Sequence, residues 1–489
     1  MLLARGAFAQ SYDARWIGGY AGSSGNPDYG GNKTLFQPGN STYSVSEPHT
    51  MYLGGGMAVI TDEQDSILAY TNGWQLNNAA HLPMLNGDGL NPSSLLNSST
   101  GLARSFCNLF LPWPGHPDSI VLVHNVPDAV WPGTNAFHAA QLYYSVVVRG
   151  LDGGTLAGVS SKNNVLLQEP LIAGGLGAVK HANGRDWWVL THRMESNEFV
   201  FFLLTPEGFQ GPWYQAIGSH INGSGPGATF SMQGDRLAYG QYASGLDILD
   251  FDRCTGLLSN ARNTAFSDGA FYRMAQFSPD GAKLYVPGGI YLYQLLLEDN
   301  GDVISMDTVA FYDGFYDDHP LFATYFAYPM LARDGRIYIS TGNSTRYMHV
   351  VNDPDLPGTV CDVQQHGHHR ITWTFNSIPY RPNYLLGPVP GSECDSLGLS
   401  TGGLEPYPVG AARVHPNPSQ GSFGIAYSGQ PASGELTVLD AAGRIVYHHR
   451  LSAWSTLHRV ELPPVAPGLY HCRLTWGAKA ATVRAVITE

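Results

Sequence analysis

A tight turn set between short apolar strands recurs along most of the chain, and this recurrence constrains the fold more than any single motif. The clearest copies are FSPDGAKLYV from Phe277, FSMQGDRLAY from Phe230, LARDGRIYIS from Leu331 and HANGRDWWVL from His181. DEQDSILAY from Asp62 and HPDSIVLV from His116 are weaker copies. The turn residues Asp65, Asp118, Asn183, Gln233, Asp280 and Asp334 stand 53, 65, 50, 47 and 54 residues apart. A second hairpin follows most of them, as in GLDILDFDRCTGLLS, IYLYQLLLEDNGDVIS, YMHVVNDPDLPGTV and FVFFLLTPEGFQG. Asp-Gly and Asn-Gly supply the positive φ angles that a tight hairpin needs. A four-stranded unit cannot cover both of its own faces, so such units stack on their neighbours. Four strands at a period of about fifty residues predict an all-β fold, a β-propeller. Six turns are visible, and a seventh blade is expected from an N-terminal strand near Trp16-Ile17 joined to the ITWTF strand at Ile371. Seven blades is the expected count, with six or eight also compatible. Phe277, Leu284, Tyr285 and Val286 are expected in the core.

The last seventy-seven residues, from Arg413, follow a different pattern. Tyr470, Cys472, Leu474 and Trp476 alternate with His471, Arg473 and Thr475, so one face of a strand is apolar and the other polar. The prolines of PNP and PP fall in connections, where they cost no ladder bond. A small antiparallel β-sandwich, Ig-like in form, is predicted over 413–489. Three motifs punctuate it: Pro416-Asn417-Pro418, the turn from Asp440 through Gly443 to Arg444, and Gly468-Leu469-Tyr470. In this order and spacing they resemble the C-terminal sorting domain (type A) of the type IX, or Por, secretion system of Bacteroidota. The resemblance implies export to the medium or the outer-membrane surface, with the secretion machinery as partner. Many members end on a lysine-rich strand, where this chain has Lys479 and Arg484. The repeats in turn resemble YVTN and WD-repeat-like propellers. With TNGWQLNN, NGDGLNP, DFDRCTGLLSN and RPNYLLGPVPGSECDSLGL they resemble Bacteroidota propeller proteins that carry this tail, a likeness that brings no activity with it.

The expected organisation is a signal-peptide remnant at 1–10, a propeller at 11–400, a linker at 401–412 (TGGLEPYPVGAA) and the sorting domain. MLLARGAFAQ has a small-x-small site at Ala7-Phe8-Ala9 but no charged start or long apolar run, which suggests a clipped signal. Charge argues against a nucleic-acid partner. The tail has seven Lys/Arg and four Asp/Glu, a net of +3, which leaves 19 − 35 = −16 for the body. An acidic body is unsuited to phosphate backbones, and no segment is apolar enough for a membrane span. Of five cysteines, Cys361 and Cys394 flank a proline-rich stretch and are expected to pair, whereas Cys107 and Cys472 read as buried apolar residues.

The search for chemistry is less productive. Gln365-His366-Gly367-His368-His369 holds three imidazoles, but a polar loop is the expected reading. Tyr312-Asp313-Gly314-Phe315-Tyr316-Asp317-Asp318-His319 joins two blades and mixes acids with aromatics, without the spacing of a calcium loop. The Gly54-Gly55-Gly56 and Gly174-Gly175-Leu176-Gly177 runs precede no helix, so they offer no phosphate cradle. Trp187 and Trp188 point to opposite sheet faces and are expected to pack between blades. Asp65-Ser66-Ile67, Asp118-Ser119-Ile120, Asp307-Thr308-Val309 and Asp395-Ser396-Leu397 match a short O-glycosylation pattern. No catalytic or metal residues and no cofactor are assigned. The expected function is a binding module for an extracellular ligand, a glycan or a surface protein. The alternative is an extracellular hydrolase or lactonase with its site at the mouth of the propeller channel. The fold alone admits both.

Overall fold

The computed structural model of the protein describes residues 12–488 apart from 21–25, 37–41, 63–64, 94–100, 102–105, 133–136, 152–155, 222–226, 242–244, 269–273, 318–321, 376–377 and 396–411. The expected signal remnant and all but Ala412 of the expected linker lie outside the described residues. Among the described residues no helix is long and apolar enough to cross a membrane.

The body is a succession of seven antiparallel meanders, numbered here in chain order, and one further small sheet of Ala129–Val130, Phe137–Ala139 and Leu171–Ile172. The first sheet has strands Arg15–Gly19, Gly31–Leu35 and Tyr43–Ser46, and the second has Ala58–Thr61, Ile67–Thr71 and Leu76–Asn78. The third is built from Asn108–Pro112, Ser119–Asn125, Leu142–Arg149 and Ala157–Leu167. The fourth is Gly177–Lys180, Trp187–His192, Ser196–Thr205 and Gly208–Ile221. The fifth is Ala228–Phe230, Arg236–Gln241, Gly245–Phe251 and Leu258–Thr264. The sixth is Gln276–Phe277, Lys283–Pro287, Tyr291–Leu297 and Val303–Phe311. The seventh is Pro329–Leu331, Ile337–Ile339, Ser344–Val351 and Val363–Phe375. Asp65, Asp118, Asn183, Gln233, Asp280 and Asp334 each fall between the first two strands of sheets two to seven.

One expectation is corrected. Trp16-Ile17 and ITWTF do not share a blade. Trp16 lies in a strand paired with Gly31–Leu35, in a sheet of its own, and Ile371 lies in the fourth strand of the seventh sheet. The strands GNKTL and YSVS are short, partly polar and joined without a DG turn, so no repeat signal marks them. The two sheets are nonetheless joined laterally. Asn32 Nδ2 donates to Thr372 Oγ1 at 2.7 Å and to Thr374 Oγ1 at 2.9 Å, and Ser44 Oγ lies 3.0 Å from His368 Nε2.

Alternation along each strand fills the spaces between sheets. In Lys283–Pro287, Leu284 and Val286 pack with Leu246, Ile248 and Phe277 toward the fifth sheet. Tyr285 packs with Leu292, Val309, Ile337 and Ile339 toward the seventh. All are buried, Val309 the least at 7% exposed, each contributing roughly 1.5–3 kcal/mol relative to an exposed side chain.

One stretch of the chain touches several of the sheets. Residues 378–389 (IPYRPNYLLGPV) follow the seventh sheet and run past the first strands of several sheets. The Tyr380 hydroxyl donates to the Ala228 carbonyl of the fifth sheet. Tyr384 donates to the Phe110 carbonyl of the third at 2.8 Å, and Arg381 donates to the Leu331 carbonyl of the seventh. Ile378, Tyr380 and Tyr384 are buried in the largest apolar cluster. These contacts bring the first strands of three non-consecutive sheets to one short segment. The body is an all-β, propeller-like stack of sheets tied together by this segment.

The tail is a two-sheet sandwich. Arg413–His415, Ser422–Ala426 and Leu457–Glu461 form one sheet, and Ile445–Leu451, Gly434–Leu439, Gly468–Trp476 and Lys479–Ile487 form the other. Tyr470, Cys472, Leu474 and Trp476 face Phe423, Ile425 and Val460 across its core, as the alternation predicts.

Candidate functional site

Meander topology sorts the connections of each sheet onto two ends. The turns after the first and third strands lie at one end, and the link after the second strand and the crossover to the next sheet lie at the other. The first end is occupied. Val389 N donates to the Ala182 carbonyl at 2.8 Å and Asn383 Nδ2 to the Met232 carbonyl at 2.8 Å, both in first turns. Gly234 needs its φ of +76° there, and a Cβ would stand 2.7 Å from Leu386 Cδ2. Arg253, in a third-strand turn, donates to the Lys180 carbonyl at 2.8 Å and also to that of Gly387. The neighbouring Cys254 is disulfide-bonded to Cys394. The expected Cys361–Cys394 pair is thereby corrected. Cys361 is a free, buried thiol packed with Tyr285 between the sixth and seventh sheets, and Cys107 and Cys472 are likewise buried. Sequence proximity suggested the wrong partner because residues 378–389 carry Cys394 across to the fifth sheet.

The tail covers part of the same end. Thr456 N donates to the Arg333 carbonyl at 2.9 Å, Arg333 Nε donates to Thr456 Oγ1 at 3.3 Å, and Ala453 and Trp454 pack with Leu386.

At the opposite end, the crossover from the sixth to the seventh sheet gathers aromatic side chains. The ring centroids of Tyr312 and Tyr325 are 4.9 Å apart and those of Tyr312 and Tyr316 6.4 Å apart, both edge-to-face. Phe311 stacks edge-on to Tyr291 at 5.4 Å. Phe311, Tyr316 and Tyr325 are 58%, 46% and 38% exposed, high values for large aromatic rings. The backbone beneath is well tied. Tyr312 N donates to the Ile290 carbonyl at 2.8 Å, the Tyr312 hydroxyl donates to the Phe315 carbonyl at 2.6 Å, and Phe315 N donates to Asp313 Oδ1 at 3.0 Å. Gln365 Nε2 donates to the Phe311 carbonyl at 2.8 Å and its Oε1 accepts from Asp313 N at 3.2 Å, which fastens the crossover to the seventh sheet. Asp317 is buried, and Arg346 Nη2 donates to its Oδ1 at 3.0 Å. Asp318 and His319 lie outside the described residues. The result is a rigid rim of tyrosines with an exposed carboxylate, Asp313. It can stack on a flat apolar face and offer hydroxyls at its edge.

The three imidazoles of the His366–His369 stretch do not converge. His366 lies 4.2 Å from the Phe315 ring and 3.4 Å from Asp313 Oδ1. His368 turns inward to Ser44 and Tyr338, where burial pushes it down to about 3. His369 packs on Tyr347 at 4.9 Å. Among the described residues no group of three His, Cys, Asp or Glu is placed to hold a metal. Trp187 and Trp188 separate as expected, the first against Tyr384 and the second donating to the Arg253 carbonyl at 2.8 Å.

Two arrays have the outline of an acid–base triad. His124 lies between Asn91 Oδ1 at 2.7 Å and Ser145 Oγ at 2.9 Å. His81 lies between Glu47 Oε1 at 3.0 Å and the Tyr70 hydroxyl at 3.1 Å. In both, the hydroxyl that would act as nucleophile is fully buried. Burial also drives His124 down to about 3 and Tyr70 up to about 12, away from the values that proton transfer near neutrality requires. These arrays support the structure.

The sorting-motif residues meet at one pole of the tail. Asn417 Nδ2 donates to the Arg484 carbonyl at 3.0 Å and its Oδ1 accepts from Val486 N at 2.8 Å. The strand that begins at Gly468 pairs Leu469 with Val486 and Tyr470 with Ala485. Asp440 Oδ1 accepts from the Ala442 and Arg444 amides at 2.9 Å, and its Oδ2 accepts from Arg444 Nε at 2.8 Å. Gly443 closes that turn with φ +78°, and Pro416 and Pro418 flank Asn417.

Residues 413–488 match the family described as "Secretion system C-terminal sorting domain". The tail is the sorting domain of a type IX secretion substrate, and the protein is secreted or held at the outer-membrane surface. A comparison with curated proteins finds no match. Among solved structures, a Bacteroides fragilis protein provisionally named a 6-phosphogluconolactonase is 12% identical, covering 70% of this chain and 91% of its own at a TM-score of 0.41. A Bacteroides uniformis protein of the same provisional name is 14% identical over 70% and 92%, with a TM-score of 0.39. The Dos1 propeller is 9% identical over 77% and 97%, with a TM-score of 0.36. Scores this low leave fold and function to the chain's own residues.

Proposed function

We propose that the protein is an extracellular binding module. Its body is a seven-bladed propeller (residues 11–400), each of the seven numbered sheets a blade, joined through residues 401–412 to the sorting domain at 413–489. It binds a neutral carbohydrate on the tyrosine rim between the sixth and seventh sheets. One observation carries this reading: the end formed by the first turns is taken up by residues 378–389 and the tail, while exposed tyrosines collect at the other end. Pyranose rings offer flat C–H faces to aromatic rings and hydroxyls to Tyr, Asp and Gln. The body's net charge of 19 − 35 = −16 disfavours a polyanionic glycan.

The test is affinity electrophoresis of the protein through gels carrying neutral or acidic polysaccharides. Retardation by a neutral polymer is expected, lost in Tyr316→Ala/Tyr325→Ala. Unchanged mobility in every neutral polymer would remove the carbohydrate reading.

A further inference from the structure

The tail's three motifs are far apart in sequence and meet at one pole, yet their polar side chains are turned onto their own backbone. Asn417 uses its amide on the last strand, and Asp440 uses its carboxylate on its own turn. The Tyr470 hydroxyl donates to the Ala466 carbonyl at 2.6 Å. Groups satisfied in this way shape the pole and have little left to offer a partner. What they hold in place is the outer face of the four-stranded sheet. In its register Leu439 pairs with Ile445 on one side and His471 on the other, His471 pairs with Arg484, and Leu469 pairs with Val486. Ile445, Leu469 and Val486 are 64%, 41% and 37% exposed, on a face bordered by Arg444, Arg473 and Arg484. An exposed aliphatic pair, with Leu439 and Ile445 further along the same face and arginines at its border, is unusual on a surface that meets only water. The opposite pole, from Ala453 to Thr456, is turned to the body.

We infer that this face, centred on Ile445, Leu469 and Val486, is the surface gripped by the export machinery, through a partner with an apolar centre and an acidic border. Charge complementarity selects that partner, because Asp440 and Arg444 neutralise each other and the exposed Arg473 and Arg484 remain as the charges on the border. Asn417, Asp440 and Tyr470 act as positioning residues that build the face, and the aliphatic and arginine side chains make the contact. The inference rests on the sorting role of the tail and is independent of the ligand of the body.

The test is export of the full-length protein in a Bacteroidota host with an active type IX system, read as the ratio of exported to cell-retained protein. Each purified variant is also melted to check folding. Ile445→Asp/Leu469→Asp is expected to lower that ratio by about tenfold or more, as loss of a central interface contact does. Arg473→Glu/Arg484→Glu is expected to do the same, while Arg459→Glu, on the other sheet, exports normally. Should the aspartates unfold the sheet, Ile445→Ala/Leu469→Ala removes only exposed methyl groups and is expected to lower export in the same direction. Wild-type export of folded face variants would overturn the inference. So would equal loss in Arg459→Glu, which would mean that net tail charge is what is read. Loss of a dimer with unchanged export would assign the face to a second copy and also overturn it.

Discussion

Cys254 and Cys394 are 140 residues apart and joined by a disulfide. The bond fixes the chain just after residues 378–389 to the outer hairpin of the fifth sheet. A crosslink across so long a loop removes much of the unfolded chain's freedom. Cys394→Ser is expected to lower stability by about 2–4 kcal/mol. Urea denaturation with and without reductant checks this, and reduction should cost the wild type a similar amount while leaving the variant unchanged.

Arg381 forms an ion pair with Asp13, both nearly buried, and also donates to the Leu331 carbonyl. Removing the guanidinium would leave a buried carboxylate without its partner. Arg381→Ala should therefore cost about 3 kcal/mol or more, read from the urea midpoint. Asp13→Asn/Arg381→Met, which removes both charges, should recover part of that loss.

Asp280 and Asp355 face each other between the first turn of the sixth sheet and the turn before Cys361, with Asp280 N donating to Asp355 Oδ1 at 3.0 Å and Lys283 Nζ 3.3 Å from Asp280 Oδ2. Burial and then the Asp280 charge raise Asp355 to about 7, whereas hydrogen bonds and Lys283 outweigh burial to hold Asp280 low. A carboxyl with a raised native pKa keeps its proton where the unfolded chain has lost it. Its contribution is fully present below the unfolded value near 4, falls as pH rises to about 7, and is level above that. Asp355→Asn mimics the protonated acid. It should stabilise the protein by on the order of 1–3 kcal/mol at pH 8 and hardly at all at pH 4, as thermal melts at the two pH values would report.

His449 and His458 stack at 4.0 Å in the tail. Burial pushes His458 down to about 3, with His449 and Arg336 adding to the effect. Burial also lowers His449, against the pull of Asp353. Depressed histidine values mean that the unfolded chain takes up protons first. The stabilisation is complete above about pH 6.5 and declines as pH falls toward 3. Hydrogen exchange in 445–461 should therefore quicken at pH 5 relative to pH 7.5, after correction for intrinsic rates, before the body loosens.

Much of this architecture was legible because repeats announce themselves. The six turn residues all mark first hairpins, and the alternation around Leu284 and Tyr470 gave the buried faces correctly. The first sheet was missed because GNKTL and YSVS carry no DG turn and no long apolar run. The contacts of residues 378–389 and the disulfide were missed for a different reason. IPYRPNYLLGPV is rich in proline and has no regular apolar pattern, and only the tertiary structure shows Tyr380 and Tyr384 donating to the Ala228 and Phe110 carbonyls. The tyrosine rim was partly visible in YDGFYDDH, but Phe311 and Tyr325 lie outside that stretch and join it through the fold of the crossover.

Hydrogen–deuterium exchange with and without a soluble neutral polysaccharide tests the account most directly. Protection is predicted in 311–317 and 322–327, with none in 378–389 or in the turns at Gln233, Asp280 and Asp334. Protection at that second set, with the tyrosine rim unchanged, would contradict the account.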